Sequence, residues 1–267
     1  MNTDITQEQI EAYQAQGCLV LPDFLTPGEL EELRAAVTAG VEHMGTRKIA
    51  DQDHRVDPTT EQTRPFLQRL NLWKINGTIA KLLLDPDLGR MLCRLAGVEG
   101  LRLYLDHTLQ KQPWAIPTAW HTDNPKWAFY SRNAISIWIA LDDATLQNGC
   151  MYYLPGSHNI TDYKRNADTN DHIATMFELY LELKNYEARP AQMKAGSAGV
   201  HNGMTAHAAG PNMTPTWRRA MIGAYMPDGA TFNGQQSILP DDQAAGLKIG
   251  DVIAQEQHQP LVWPKRG

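Results

Sequence analysis

The sequence has few cysteines, no long hydrophobic run and no block of basic residues. Its three cysteines, Cys18, Cys93 and Cys150, have no CxxC spacing, which excludes a disulfide framework and a thiolate zinc site and fits a reducing cytoplasm. The longest apolar stretch, residues 134–141, is far shorter than the roughly 20 residues of a membrane helix. A formal net charge of −6 without a basic cluster offers no surface for nucleic acid or an anionic membrane. We therefore expect a cytoplasmic protein without such partners, and the N-terminus lacks the pattern of a signal peptide.

Length and composition are those of an ordinary globular protein. The 267 residues suffice to bury a sizeable core, and 42% of them are hydrophobic against 20% charged. This composition argues against disorder, collagen or a coiled coil. No repeat is visible, which argues against solenoids and propellers. Because no stretch has the composition of a linker, we predict one domain over residues 1–267.

The N-terminal third carries helix signals. A capping box at Thr6 begins a helix that Gly17 can end. Thr26 begins a second helix, which we expect to end at Gly40. Residues 41–68 are polar and poorly patterned, and we interpret them as a long loop that could cover a site as a lid.

After a further helix that begins at Asp85, the hydrophobic period changes to two. Strands are expected at residues 101–106, 135–140, 150–154 and 221–226. Glycine, proline and asparagine separate these runs. Several short strands with turn signals predict a mainly β protein, an antiparallel sandwich or barrel with helices before it.

The candidate chemistry begins at the H-x-D triplet His121-Thr122-Asp123. On a strand, residues i and i+2 point to the same face, so this histidine and this carboxylate would be presented together. One further histidine would complete a facial triad of two histidines and a carboxylate, which is typical of non-haem Fe(II) oxygenases and leaves positions open on the metal. The alternative is a surface histidine and aspartate in a turn, which the following Asn124-Pro125 favours.

The third ligand would come from one of the later histidines. The candidates are His158, His172, His201, His207 and His258. His201 and His207 are six residues apart and would face the same side of one continuous strand, whereas a solvated or capping role suits the other three. Arg218 and Arg219 follow His207, and an arginine on the next strand could bind a carboxylate bidentately.

Several separated motifs occur in order between about residues 6 and 226. They are GCLVLPDFL at 17–25, HTD at 121–123, WIALDD at 138–143, NGCM at 148–151, LPGSH at 154–158, and HAAGPN at 207–212 followed by Arg218. Together they resemble the phytanoyl-CoA dioxygenase family of Fe(II)- and 2-oxoglutarate-dependent oxygenases. The resemblance implies a double-stranded β-helix, the cupin-like jelly roll, flanked by N-terminal helices.

The resemblance also implies a role for each matching residue. His121, Asp123 and His207 would bind Fe(II), and His201 stays the alternative for the third position. Arg218 would pair with the distal carboxylate of 2-oxoglutarate. Trp138 matches a position that lines the co-substrate pocket.

Two further positions bear on the co-substrate. Lys74 matches a lysine near it by its distance before the helix that ends at Gly97, and a solvated lysine is the alternative. Ala209 departs from the family, which often has serine there, and this removes one possible hydroxyl donor.

The implied reaction is hydroxylation of an unactivated C–H bond of a small-molecule metabolite, with O₂ as oxidant and 2-oxoglutarate decarboxylated to succinate and CO₂. Asp123 favours hydroxylation over halogenation, because related halogenases have a small residue in its place. Desaturation, epoxidation or ring rearrangement at the same iron remains open, as does a non-catalytic jelly-roll module or a hydrolase using another metal. Nothing in the sequence indicates an oligomeric state.

Two groups of side chains near the triplet bear on the substrate. Trp114, Trp120 and Trp127 would either form an aromatic wall for a hydrophobic substrate or pack in the core. Three cations near the triplet would either meet an acidic group of the substrate or form a solvated rim: Lys111, Lys126 and Arg132.

Overall fold

The computed structural model describes residues 1–61 and 63–264. Within these residues the α-helices are α1 Gln7–Gln16, α2 Pro27–Met44, α3 Pro58–Glu61, α4 Gly77–Leu83, α5 Pro86–Ala96, α6 Thr175–Leu179 and α7 Asp241–Gly246. The strands are β1 Cys18–Leu21, β2 Leu67–Leu70, β3 Leu101–Lys111, β4 Thr118–His121, β5 Ile135–Ala140, β6 Met151–Tyr153, β7 Arg189–Ala191, β8 Ala198–Asn202, β9 His207–Ala209, β10 Arg218–Pro227 and β11 Leu261–Trp263. No described helix has the length and apolar character needed to cross a membrane.

The predicted helix caps are confirmed. The Thr6 hydroxyl accepts from the backbone N–H of Gln9, and Gly17 ends α1 in the left-handed conformation. Thr26 begins α2 with a second capping box. These ends are set by neighbouring residues, which is why the sequence predicts them.

The prediction that Gly40 ends α2 is wrong. The helix continues to Met44, and Gly45 follows it with a positive φ. Gly40 lies against Leu72, whose Cδ2 would be only 3.2 Å from a Cβ at this position. This glycine therefore allows close packing between α2 and the segment before α4.

Two antiparallel sheets form the core of the fold. The large sheet has the order β1-β8-β5-β10-β3-β11, with β2 also paired to β3. The small sheet has the order β4-β9-β6-β7. Consecutive residues of β5 are all buried, because helices cover one face of the large sheet and the other face looks toward the small sheet and the cavity.

The interpretation of residues 41–68 as one long loop is only partly right. The end of α2, the short α3 and the start of β2 lie inside this segment. Buried Arg69 ties it together, since its guanidinium donates to both carboxylate oxygens of Glu61, at 2.6 and 3.1 Å, and to the carbonyl oxygen of Gly45. The segment is therefore anchored beside β3, where it forms one side of the cavity described next.

Candidate active site

A cavity of about 670 Å³ lies between the two sheets. Residues of β3, β5, β8 and β10 line it from the large sheet, and residues of β4, β6 and β9 line it from the small sheet. The segment around Lys48 and the residues before β2 complete its outer side. Five of the six sequence-predicted site residues lie here: His121, Asp123, Trp138, His207 and Arg218.

His121, Asp123 and His207 form a cluster that could hold a metal ion. One ligand atom from each lies within 4.8 Å of the others. His121 and His207 are opposite each other in the β4–β9 pair, which places their ring centroids 4.2 Å apart. The Oδ1 atom of Asp123 is 3.8 Å from Nε2 of His121 and 3.7 Å from Nε2 of His207.

Asp123 reaches the cluster from a turn, not from the strand that the sequence pattern predicted. The strand β4 ends at His121, and Asp123 has helical backbone angles. Its backbone N–H and that of Asn124 both donate to the carbonyl oxygen of Gly203, at 3.0 and 2.9 Å. This turn, held from the β8–β9 connection, brings the carboxylate back toward the histidines.

Both histidines have the tautomer that a metal needs. Nδ1 of His121 donates to the carbonyl oxygen of Ala119 at 2.8 Å, and Nδ1 of His207 donates to that of Thr205 at 2.9 Å. Burial lowers the pKa of each imidazole, so each is neutral with a free Nε2 lone pair. Such backbone contacts orient metal-binding histidines in proteins.

The Asp123 carboxylate is ionised. Burial by itself raises its pKa, but His207, His201 and His121 together hold the pKa of Asp123 well below its usual range. A neutral histidine pair facing an ionised carboxylate is the donor set of a two-histidine, one-carboxylate metal site.

His201 contacts the carboxylate from the other side. Its Nε2 donates to Oδ2 of Asp123 at 3.2 Å, and the Ser136 hydroxyl lies 3.5 Å from the same oxygen. The expectation that His201 and His207 share a strand is wrong, because β8 and β9 belong to different sheets. His201 thus faces the cluster, yet it binds the oxygen that the two other histidines do not approach.

Arg218 and Trp138 lie together in the cavity. The Arg218 guanidinium is 5.1 Å from the centre of the Trp138 ring and is 1% exposed. Within the described residues its Nε and Nη1 atoms have no hydrogen-bond partner. Burial lowers its pKa only to about 10, so it remains charged at neutral pH. A buried guanidinium with unpaired donors is costly unless an anion binds it, and a carboxylate fits this requirement.

The structure does not bring Lys74 to the cavity. Its ammonium pairs with Asp51, and it lies 2.8 Å from Nδ1 of His258. The turn Leu72–Lys74 is held by Asp106, whose carboxylate accepts from the backbone N–H groups of Leu72 and Trp73. Lys74 therefore joins the cavity-forming segment to the C-terminal part of the chain rather than meeting a ligand.

The aromatic and basic residues near the triplet separate in the structure. Trp127 lines the cavity, whereas Trp120 packs on Phe177 and Trp114 is 65% exposed. The three tryptophans therefore form no common wall. Of the three cations near the triplet, Lys111, Lys126 and Arg132, only Lys126 lines the cavity, where it pairs with Asp168 at 3.3 Å.

The two other cations bind backbone carbonyls. Lys111 donates to that of Ile116, and burial lowers its pKa to about 6. Arg132 donates to those of His158 and Thr161.

Sequence reasoning missed His107, Gln68 and Lys48, which also line the cavity. His107 lies on β3 between Leu105 and Leu109, which share its face of the strand. The period of two in this strand could have placed Leu105, His107 and Leu109 on one face. It could not show that this face, rather than the opposite one, looks into the cavity.

Comparison with known proteins identifies the family. The sequence model of the phytanoyl-CoA dioxygenase (PhyH) family matches residues 13–220. This chain belongs to the phytanoyl-CoA dioxygenase family. Like its relatives it is a 2-oxoglutarate-dependent dioxygenase that uses iron, and the predicted jelly-roll fold is confirmed.

Three proteins to which this chain is similar have names that state different reactions. Methylphosphonate hydroxylase of Gimesia maris is 28% identical over 84% of this chain and 82% of its own length. The carbocyclase SnoK from nogalamycin biosynthesis is 25% identical, with a TM-score of 0.80 over 97% of this chain and 96% of its own. The epimerase SnoN, solved with Fe³⁺, alpha ketoglutarate and nogalamycin RO, is 23% identical, with a TM-score of 0.77 over 96% of this chain and 98% of its own.

Proposed function

We propose that this dioxygenase hydroxylates an unactivated C–H bond of a small-molecule metabolite and converts 2-oxoglutarate to succinate and CO₂. The observation that carries the proposal is the cluster of His121, Asp123 and His207 in one cavity with a buried Arg218, whose Nε and Nη1 atoms have no partner among the described residues. The cluster fits a metal that needs open positions, and the guanidinium fits a dicarboxylate co-substrate.

Three side chains of the cluster would bind the metal. Nε2 of His121, Nε2 of His207 and Oδ1 of Asp123 would hold Fe(II), which supplies O₂ activation when bound. Because the imidazoles are neutral and the carboxylate is ionised, no proton has to leave the site on metal binding near neutral pH.

Arg218 would bind the distal carboxylate of 2-oxoglutarate. Apolar side chains, such as Leu109 and Ile222, line the same cavity. A charge-assisted hydrogen bond is stronger in such surroundings than in water. Trp138 would keep the guanidinium in place through the face of its ring.

A second reaction class is a ring closure or epimerisation at the same site. The fold similarity to SnoK and SnoN, which are a carbocyclase and an epimerase, favours it. Product mass distinguishes the two classes, because hydroxylation adds one oxygen, ring closure removes two hydrogens and epimerisation leaves the mass unchanged.

Succinate formation tests the proposal. The purified protein with Fe(II), 2-oxoglutarate and O₂ is incubated with a metabolite library, and succinate and product masses are measured. We expect succinate from the wild type and a loss of about 100-fold or more in His121→Ala, since removing only a hydrogen-bond partner of a metal ligand already costs about 10–100-fold. His172→Ala is the matched control, because His172 is exposed outside the cavity. Equal succinate formation by both variants would contradict the proposal.

A further inference from the structure

Two cations lie on the outer side of the cavity. Lys48 is half-buried and Arg64 is exposed, and both line the cavity. Neither makes an ion pair with any described residue. Lys126, by contrast, pairs with Asp168. This contrast matters because the chain as a whole carries a net charge of −6.

The carboxylates that act on Lys48 are already engaged. The charges of Glu61 and Asp168 both act to raise the pKa of Lys48. Glu61 is held by both Nη atoms of buried Arg69, and Asp168 by Lys126. Burial and the nearby Arg64 accordingly lower the pKa of Lys48. Asp241, the remaining acid of the cavity rim, accepts from Gln236 at 2.6 Å.

His107 adds a neutral donor to the same side. Gln68 Nε2 donates to Nδ1 of His107 at 2.8 Å, so the hydrogen of the neutral ring is on Nε2. That nitrogen has no partner in the described part of the chain. Leu70 is opposite His107 in the β2–β3 pair, and its backbone N–H donates to the carbonyl oxygen of Lys48, so Leu70 separates the backbones of the two. Burial lowers the pKa of His107, and Lys48 is still near enough for its charge to lower that pKa further. We call Lys48, Arg64, Gln68 and His107 the basic wall.

The basic wall is separate from the co-substrate anchor. Arg218 is opposite Lys111 on β3, four residues beyond His107, which is about 13 Å along a strand. Charge balance agrees. Fe(II) and Arg218 together would neutralise Asp123 and the two carboxylates of 2-oxoglutarate, and Lys126 offsets Asp168. Among the charged residues that line the cavity, this leaves Lys48 and Arg64 against Asp241 alone, a net charge of +1.

We propose that the basic wall binds an anionic group of the substrate and holds a neighbouring C–H bond toward the cluster of His121, Asp123 and His207. The group is a carboxylate, a sulfate or a phosphorus oxyanion, each of which accepts hydrogen bonds from an ammonium, a guanidinium and an imidazole N–H. The inference rests on the proposed function only in taking this cavity as the place of reaction.

Four ligands with the same aromatic body test the proposal: phenylacetate, benzyl sulfate, benzylphosphonate and neutral phenylacetamide. Their binding to the protein loaded with Fe(II) and 2-oxoglutarate is measured by calorimetry without O₂. We expect at least one anion to bind about tenfold or more tightly than phenylacetamide, and less tightly at high salt. The three anions distinguish the head groups.

Variants of Lys48 assign the binding to the basic wall. Lys48→Met should remove most of the preference for the anion, Lys48→Arg should retain it, and Lys184→Met, at an exposed position outside the cavity, should leave it unchanged. Equal binding of phenylacetamide, binding of none of the anions, or an unaltered preference in Lys48→Met would each overturn the proposal.

The co-substrate affinity separates this proposal from the proposed function. Lys48→Met should bind 2-oxoglutarate like the wild type. If it loses 2-oxoglutarate and the anion together, Lys48 belongs to the co-substrate site and the basic wall is overturned. If the wild type binds neither Fe(II) nor 2-oxoglutarate, the proposed function fails, whatever the anions do.

Discussion

At the residue scale, Asp123 uses its two oxygens differently. Oδ1 faces Nε2 of His121 and His207, whereas Oδ2 is held by Nε2 of His201 and by the Ser136 hydroxyl. An oxygen that accepts a hydrogen bond is less available to a metal. We therefore expect Asp123 to offer a metal one oxygen and His201 to act as a positioning residue.

His201→Phe should weaken metal binding by about tenfold to 100-fold, the usual effect of losing a partner of a ligating carboxylate. Phenylalanine keeps a ring beside Tyr153, 5.5 Å from the present imidazole, but removes the donor. Titration of the apo protein with Fe(II) measures the effect without any turnover. His172→Phe, at an exposed site, serves as the control. Complete loss of binding in His201→Phe, with binding kept in His207→Phe, would instead make His201 the third ligand.

Arg218→Lys should raise KM for 2-oxoglutarate by about tenfold or more, with a smaller effect on kcat. Lysine keeps the charge but lacks the planar fork that meets a carboxylate with two hydrogen bonds. Arg219→Lys is a matched control at the next position, because Arg219 pairs bidentately with Asp142 outside the cavity, at 2.9 and 2.8 Å. Equal KM values for the two variants would argue against Arg218 as the anchor.

At the element scale, a turn glycine joins the small sheet to the chain after β9. Gly149 precedes β6 with a φ of +90°, and a Cβ there would lie 2.6 Å from the carbonyl oxygen of Gly210 and 2.7 Å from Cδ of Lys111. Both the backbone angle and the space around it require glycine.

Gly149→Ala should therefore lower the free energy of unfolding by more than the strain of a positive φ alone, which is roughly 1–2 kcal/mol. Gly229→Ala isolates that strain, since Gly229 has a φ of +87° and no atom near its missing Cβ. Urea unfolding of both variants gives the difference, which we expect to exceed about 1 kcal/mol. Equal losses would show that the clash with Gly210 is relieved by small movements.

The same scale shows which elements a sequence can predict. The caps of α1 and α2 were predictable because a threonine and the residue three positions later make the contacts. The continuation of α2 past Gly40 was not predictable, because this glycine makes room for Leu72, which lies on another element. Likewise Asp123 lies in a turn and not in the predicted strand, because its backbone N–H donates to the carbonyl oxygen of Gly203, which is distant in sequence.

At the scale of the whole molecule, covering both faces of the large sheet buries titratable groups. Burial lowers the pKa of His107 to about 4 and raises that of Asp106 to about 7, although the two are neighbours on β3. Their effects on the pH dependence of stability have opposite signs. A depressed histidine pKa favours unfolding as the pH falls, and a raised aspartate pKa opposes it.

His107→Gln should reduce the loss of stability between pH 6.5 and pH 5 by about 2 kcal/mol. The unfolded chain protonates His107 below its ordinary pKa of 6.5, whereas the native state does so only near 4. The native state therefore loses stability across this window, and glutamine does not titrate. Urea unfolding of the apo protein at the two pH values measures the change, with exposed His172→Gln as the control. Identical pH dependence in wild type and His107→Gln would show that the native state protonates His107 as readily as the unfolded chain does.

The sequence by itself determined the caps and most strands and, through its motifs, the family, and it predicted His121, Asp123 and His207 as metal ligands through the same resemblance. These depend on short-range backbone preferences and on motifs whose spacing is local, such as the H-x-D triplet. Only the tertiary structure decided that His207 lies opposite His121, that His201 holds the carboxylate instead, and that Lys74 pairs away from the cavity. The basic wall likewise joins residues from the segment before β2, from β2 and from β3. The physical reason is that a cavity is formed by the strand faces that the second sheet covers, and no local pattern states which faces those are.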